Sequence, residues 1–225
     1  MNSGPKRIRI KICGMTRLED ALCAAEAGVD ALGFIFYAKS PRSIDPESAQ
    51  RIIAQLPPFV DAVGVFVDRE LQQVEAIVKQ CRLSYAQLHG AESPEDCRNL
   101  AKIAAPCQVL KAIRVGPQTT AAEVAPYQDS IQGFLLDTYQ KNAVGGTGET
   151  FDWSLVDRLH LMKPFLLAGG LSVDNILLAL EQVRPYGVDA NSGLETAPGI
   201  KDHALIRQFV AAVRKFEADC LTGQQ

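Results

Sequence analysis

The sequence predicts a single (β/α)8 barrel. Three observations predict it. Eight short apolar, β-branched runs recur along the 225 residues, 22 to 33 residues apart. Helical patterns fill the gaps between them, the alternation that gives a parallel sheet. No G-x-G-x-x-G follows an early strand, as a doubly wound sheet would more naturally show. Eight βα units close a barrel, and the length lies near the low end for that fold.

Strand one begins near Ile8 and ends at Cys13-Gly14. The alternation of Lys6, Arg7, Arg9 and Lys11 reads as the polar face of a strand. Thr16-x-x-Glu19 reads as a capping box, followed by Leu18, Leu22 and Ala25 at helical spacing and Gly28 at the stop. Strand two begins near Asp30 and leads into Ser40-Pro41-Arg42. Strand three begins near Asp61 and ends near Asp68, with Leu71, Val74, Ile77 and Val78 as a stripe behind it. Its body, Ala62 to Val67, is apolar without alternation, as is Gly133-Phe134-Leu135-Leu136; strands covered on both faces read this way. Strand four begins near Ser84 and ends at Gln87-Leu88-His89-Gly90, and Ser93-Pro94 supplies an N-cap and a first-turn proline. Strand five runs from Gln108 to Arg114, before a helix over 120–127. Strand six runs from Ile131 to Asp137, before a helix over 151–161. Strand seven begins near Pro164 and ends in Ala168-Gly169-Gly170. A helix over 172–183 follows, with Ile176, Leu177, Leu180 and Val183 inward. Strand eight begins near Gly187 and leads into Asn191-Ser192-Gly193. The last helix spans about 202–217, with Ile206, Phe209, Val210 and Val213 on one face. The chain reads as one domain over 1–225, an ordered barrel over about 6–217 with short flexible termini.

Composition narrows the class. Apolar residues make up 47% and charged residues 22%, enough for a core without staples. The net charge of −3 implies no broad basic face for nucleic acid. No run reaches the roughly 18 apolar residues of a membrane span, and the first residues contain no apolar signal segment. The six cysteines form no C-x-x-C pair, which fits free thiols and a cytoplasmic setting. Nothing suggests a metal site, and the P-loop, H-E-x-x-H and G-x-S-x-G motifs are missing.

In this fold the chemistry sits at the C-terminal ends of the strands. Cys13 stands there just before a helix start, a position expected to favour thiolate. Asp137 ends an apolar run, where partial desolvation would raise its pKa and suit it to donate a proton. Arg42 offers a planar fork for a carboxylate. Glycines gather at Gly145-Gly146-Thr147-Gly148, at Gly169-Gly170 and at Ser192-Gly193. The last two groups follow strands seven and eight, where these barrels usually bind phosphate. His89 and Trp153 read as a loop or core histidine and a packing anchor.

Taken in order, these segments resemble a known family. They are Lys11-Ile12-Cys13-Gly14-Met15-Thr16, Gly33-Phe34-Ile35-Phe36 with Ser40-Pro41-Arg42, and Val63 to Val67. Gln87-Leu88-His89-Gly90, Leu136-Asp137, Gly145 to Gly148 with Phe151-Asp152-Trp153, and Leu167 to Leu171 follow, then Ser192-Gly193-Leu194-Glu195 and Pro198-Gly199-x-Lys201-Asp202. The set resembles the phosphoribosylanthranilate isomerases over about residues 8–214. The resemblance implies an Amadori rearrangement of N-(5-phosphoribosyl)anthranilate to 1-(2-carboxyphenylamino)-1-deoxyribulose 5-phosphate, with no cofactor; the expected state, a monomer or homodimer, is not fixed by one sequence. It implies Cys13 as general base, Asp137 as general acid and Arg42 on the anthranilate carboxylate. The backbones of Gly169, Gly170, Ser192 and Gly193 would hold the phosphate. One departure stands in strand eight: Ala190-Asn191 replaces the family's usual aliphatic residue and serine. The alternatives are a related ribotide isomerase, which would use two aspartates, and a barrel that binds a phosphate ligand without turnover.

Overall fold

The computed structural model describes residues 7–138 and 154–223. Eight parallel strands close into a barrel in sequence order: β1 (Arg9–Ile12), β2 (Ala31–Ile35), β3 (Asp61–Phe66), β4 (Tyr85–Leu88), β5 (Gln108–Val115), β6 (Gly133–Thr138), β7 (Phe165–Leu167) and β8 (Gly187–Ala190). Each begins within two residues of the apolar run that predicts it. Closure is made by β8 on β1, where Lys11 is the register partner of Asp189 and Ile12 that of Ala190.

The helices are α1 (Leu18–Ala27), α2 (Pro46–Ile53), α3 (Leu71–Cys81), α4 (Pro94–Ile103), α5 (Ala121–Val124), α6 (Ser154–Asp157), α7 (Ile176–Val183) and α8 (His203–Thr222). Their caps are written in the sequence. Ser93 accepts from the Asp96 amide while Asp96 accepts from the Ser93 amide, a reciprocal cap behind Pro94. Asp202 accepts from the amides of Ala204 and Leu205 at the start of α8.

Strand alternation separates two cores. Ile10, Ile12, Phe34, Phe66, Phe134, Leu136, Val188 and Ala190 point outward into the layer shared with the helices, where Phe209 and Val213 of α8 meet them. Each fully buried large side chain there contributes roughly 1.5–3 kcal/mol. The opposite faces point into the barrel. Cys13, Ile35 and Val65 form one inner cluster, and Ala112, Leu135 and Ala168 another.

Four local expectations are corrected. Thr16 does not cap α1: its hydroxyl donates to the Gly199 carbonyl, and Arg17 stands at the N-cap with no side-chain capping bond among the described residues. Lys11 is not on a solvated face; it points into the barrel and is buried against Asp189. α7 starts only at Ile176, because Ser172 and Asn175 are engaged in a turn, and Leu177 faces solvent at 44% exposure. α8 runs on to Thr222, past the expected end near 217. The glycine group 145–148, Trp153 and the first part of the helix expected over 151–161 lie outside the described residues. A short hairpin, β9 (Glu195–Ala197) with β10 (Ile200–Lys201), is not signalled by periodicity.

Candidate active site

At the C-terminal end of the barrel lies a cavity of about 210 Å³. Cys13, Asp137, Gly169, Gly170, Ser192 and Gly193 all line it, so the structure brings six of the seven sequence-predicted residues together. A larger cavity of about 810 Å³ opens beside the start of β7 and the end of α8 and contains none of them. The strand-end chemistry, not the size, selects the smaller one.

Cys13 follows β1 directly, and its amide donates to the Ala190 carbonyl at 2.9 Å, continuing the barrel pairing. Its side chain is buried with Ile35 and Val65, and Tyr37 packs against them. The expected helix-start effect is not what governs the thiol, since α1 begins five residues later, at Leu18. Burial pushes the Cys13 thiol up, against the opposing pull of the Lys11 and Lys201 ammonium groups; Asp189 adds to the rise.

Asp137 enters from β6. Its Oδ2 lies 3.2 Å from His89 Nε2, and His89 Nδ1 lies 3.1 Å from Gln87 Nε2. With the Gln87 amide donating to Nδ1, His89 carries its proton on Nε2 and donates to Asp137. The imidazole therefore orients the carboxyl group. His89 belongs to the site, contrary to its reading as a loop or core residue; the signal was its strand-end position in Gln87-Leu88-His89-Gly90.

The loops after β7 and β8 close the cavity. Gly169 and Gly170 have φ of +88° and +69°, the left-handed region that suits glycine. Gly193 packs so tightly that a Cβ there would lie 2.2 Å from the Leu171 carbonyl oxygen. Only glycine lets these two loops touch.

Arg42 stands apart from the cavity lining. It is engaged by Glu195: Nε lies 2.9 Å and Nη2 2.7 Å from Oε2. Among the described residues no hydrogen bond uses its Nη1. Lys201 grips the other carboxylate oxygen, Oε1, at 2.8 Å, and donates to Asn191 Oδ1 at 2.9 Å. Burial raises Glu195, but the hydrogen bonds from Arg42 and Lys201 outweigh it and hold the carboxyl below its ordinary range. The departure in strand eight thus has a place. Ala190 is buried in the outer core, and Asn191 anchors the lysine that holds Glu195.

Beneath Cys13, inside the barrel, Lys11 donates to Asp189 Oδ2 at 2.9 Å. Asp189 Oδ1 and Gln87 Oε1 are buried with no partner among the described residues, and both side chains line this region. Among the described residues, no group of three or more His, Cys, Asp or Glu side chains is placed to hold a metal ion. No helix among them is long and apolar enough to cross a membrane.

Comparison with known proteins assigns the chain to a family. The family model described as N-(5'-phosphoribosyl)anthranilate (PRA) isomerase matches residues 10–212. The chain belongs to this family. It is therefore an enzyme, an isomerase of tryptophan biosynthesis. An N-(5'-phosphoribosyl)anthranilate isomerase of Pseudomonas putida (strain GB-1) is 50% identical over 208 residues, covering 92% of this chain and 98% of that one. The crystal structure of phosphoribosyl anthranilate isomerase from Thermotoga maritima is 42% identical, with a TM-score of 0.80 over 92% of this chain and 99% of that chain. A further phosphoribosyl anthranilate isomerase, 39% identical with a TM-score of 0.77 over the same shares, was solved with reduced 1-(o-carboxyphenylamino)-1-deoxyribulose 5-phosphate. The closed eight-stranded barrel agrees with the fold of these relatives, and the isomerase reading from the resemblance holds.

Proposed function

We propose that the cavity carries out the Amadori rearrangement of N-(5-phosphoribosyl)anthranilate with Cys13 as general base and Asp137 as general acid. The chain would act as one barrel domain, with no cofactor. One observation carries the assignment: a thiol from β1 and a carboxyl from β6 face one small cavity rimmed by the loops after β7 and β8.

The chemistry asks for those two groups. Protonation of the ribose ring oxygen by Asp137 opens the ring and leaves a protonated imine. That imine acidifies the neighbouring C2′ proton. Thiolate Cys13 removes it, giving an enolamine that tautomerises to the ketone. The acid must start protonated and the base deprotonated. An ordinary Asp near 3.9 and Cys near 8.5 both favour the other state at pH 7.

The backbone amides at Gly169, Gly170, Ser192 and Gly193 suit the phosphate. The compound bound to one relative carries both a phosphate and a carboxyphenyl group, the two anionic ends these residues would hold. Arg42 suits the anthranilate carboxylate through the Nη1 edge that Glu195 leaves unused. Purified protein should consume phosphoribosylanthranilate without added metal or cofactor. Cys13→Ser and Asp137→Asn should each lower kcat by at least ~100-fold. Near-normal turnover in either variant overturns that residue's role.

A further inference from the structure

A buried ammonium group inside a barrel needs a reason. Lys11 is 1% exposed, and the residue ranks among the largest fully buried ones of the molecule. It precedes Cys13 by two positions on β1, so both side chains point to the barrel interior. Gly33 on the neighbouring strand marks how near they come. A Cβ built on Gly33 would lie 2.7 Å from Cys13 Sγ and 3.1 Å from Lys11 Nζ. The absent side chain is thus the space in which ammonium and sulfur face each other.

On the far side, Lys11 is held by Asp189, its register partner across the closing seam of the barrel. Asp189 spends only Oδ2 on the pair, and Oδ1 has no partner among the described residues. An ion pair of this kind is poor value for stability alone, because desolvation offsets most of its attraction. Its position under the reacting thiol gives it another use.

We propose that Lys11 is a positioning residue for the reaction: its ammonium, fixed by Asp189 and facing Cys13, offsets the cost of burial and favours the thiolate that takes the C2′ proton. This rests on the assignment of Cys13 as base. The balance is simple: the thiolate accepts the C2′ proton and becomes a thiol, while Lys11 keeps its own protons throughout.

The charged groups around the sulfur agree with that division. Lys11 faces it from β1, Lys201 from β10 and Asp189 from β8, with Asp137 and His89 across the cavity and apolar Ile35 and Val65 beside it. Burial pulls Lys11 down, but Asp189 and Cys13 outweigh it and hold the ammonium above its ordinary value. It stays charged while the thiol titrates. Asp189 works in the other direction on the sulfur, as a like charge. The two partners should therefore act on Cys13 with opposite signs, which no shared structural role would produce.

The test reads Cys13 directly, by iodoacetamide alkylation against pH with the modified peptide quantified by mass spectrometry. Lys11→Met should move the Cys13 midpoint up by at least one pH unit and slow alkylation at pH 7 about tenfold. Asp189→Asn should leave the midpoint where it is or move it down. The double variant Lys11→Met/Asp189→Asn carries no unpaired buried charge, so it keeps the test open if Lys11→Met fails to fold; it should match the upward shift. In turnover, the acid limb of kcat should move with the alkylation midpoint while KM holds. An unmoved midpoint in the Lys11 variants, or an upward move in Asp189→Asn, overturns the proposal. These alkylation arms use no substrate. An error in the base assignment would instead appear as normal turnover by Cys13→Ser.

Discussion

Gly193→Ala concentrates the reasoning in a single methyl group. The added Cβ would lie 2.2 Å from the Leu171 carbonyl oxygen and 3.1 Å from Ser172 Cβ. Carbon and carbonyl oxygen approach comfortably only to roughly 3.3 Å. The loops after β7 and β8 must therefore separate by about 1 Å. The atom in the way is a backbone carbonyl oxygen, so no rotamer change relieves the clash. A shift of that size in a positioned group costs about 100-fold, or roughly 2.7 kcal/mol. Because the displaced amides are assigned to the phosphate, the loss should appear in kcat/KM with KM rising, and inorganic phosphate should inhibit more weakly. Steady-state turnover and phosphate inhibition measure both. Gly28→Ala is the matched control. Its φ of +94° makes alanine strained there, yet nothing lies within 4 Å of the new Cβ. It should lose about 1 kcal/mol of stability and leave KM alone. An unchanged KM and phosphate affinity in Gly193→Ala would refute the placement of phosphate between these loops.

Other expectations follow from the same geometry. Arg42→Ala should chiefly raise KM, by roughly 10- to 100-fold for a lost charge-assisted contact; an unchanged KM returns Arg42 to a structural role. Glu195→Gln should also raise KM, because Arg42 then loses half of its bidentate anchor. The same variant tests linkage. The Glu195 carboxyl is held below its ordinary value, so its contribution is present above the unfolded pKa, about 4.5, and is lost as pH falls through the folded value. Thermal melts should show wild type above Glu195→Gln at pH 6, with the gap closing below about pH 4.5; a gap independent of pH contradicts the shift. Phe209→Ala, which empties a wholly buried site between α8 and the barrel, should cost about 3–5 kcal/mol in denaturant unfolding without changing KM.

Much of this was legible in the sequence because the barrel repeats one simple unit. Buried strands announce themselves as unbroken apolar runs, and eight of them placed every strand within two residues. The strand-end rule then located Cys13, Asp137 and both phosphate loops in one cavity. What the pattern missed has physical causes. Thr16-x-x-Glu19 satisfies the capping rule, but the Thr16 hydroxyl is taken by the Gly199 carbonyl, 183 residues away. Lys11 looked solvated because alternation says which residues share a face, not which face meets water. In a closed barrel the other face is the interior. The Glu195–Lys201 clamp reaches Arg42 across 153 positions of sequence and leaves no periodic trace. His89 is a further case, since only the fold brings it to Asp137.

The assignment of Cys13 as the base comes down to the fate of one hydrogen. Substrate deuterated at C2′ should lose its deuteron to water in the wild type at the rate of turnover. Cys13→Ser, saturated with the same substrate and still binding it, should retain the deuteron. Release of the C2′ deuteron by Cys13→Ser at the wild-type rate would contradict the mechanism.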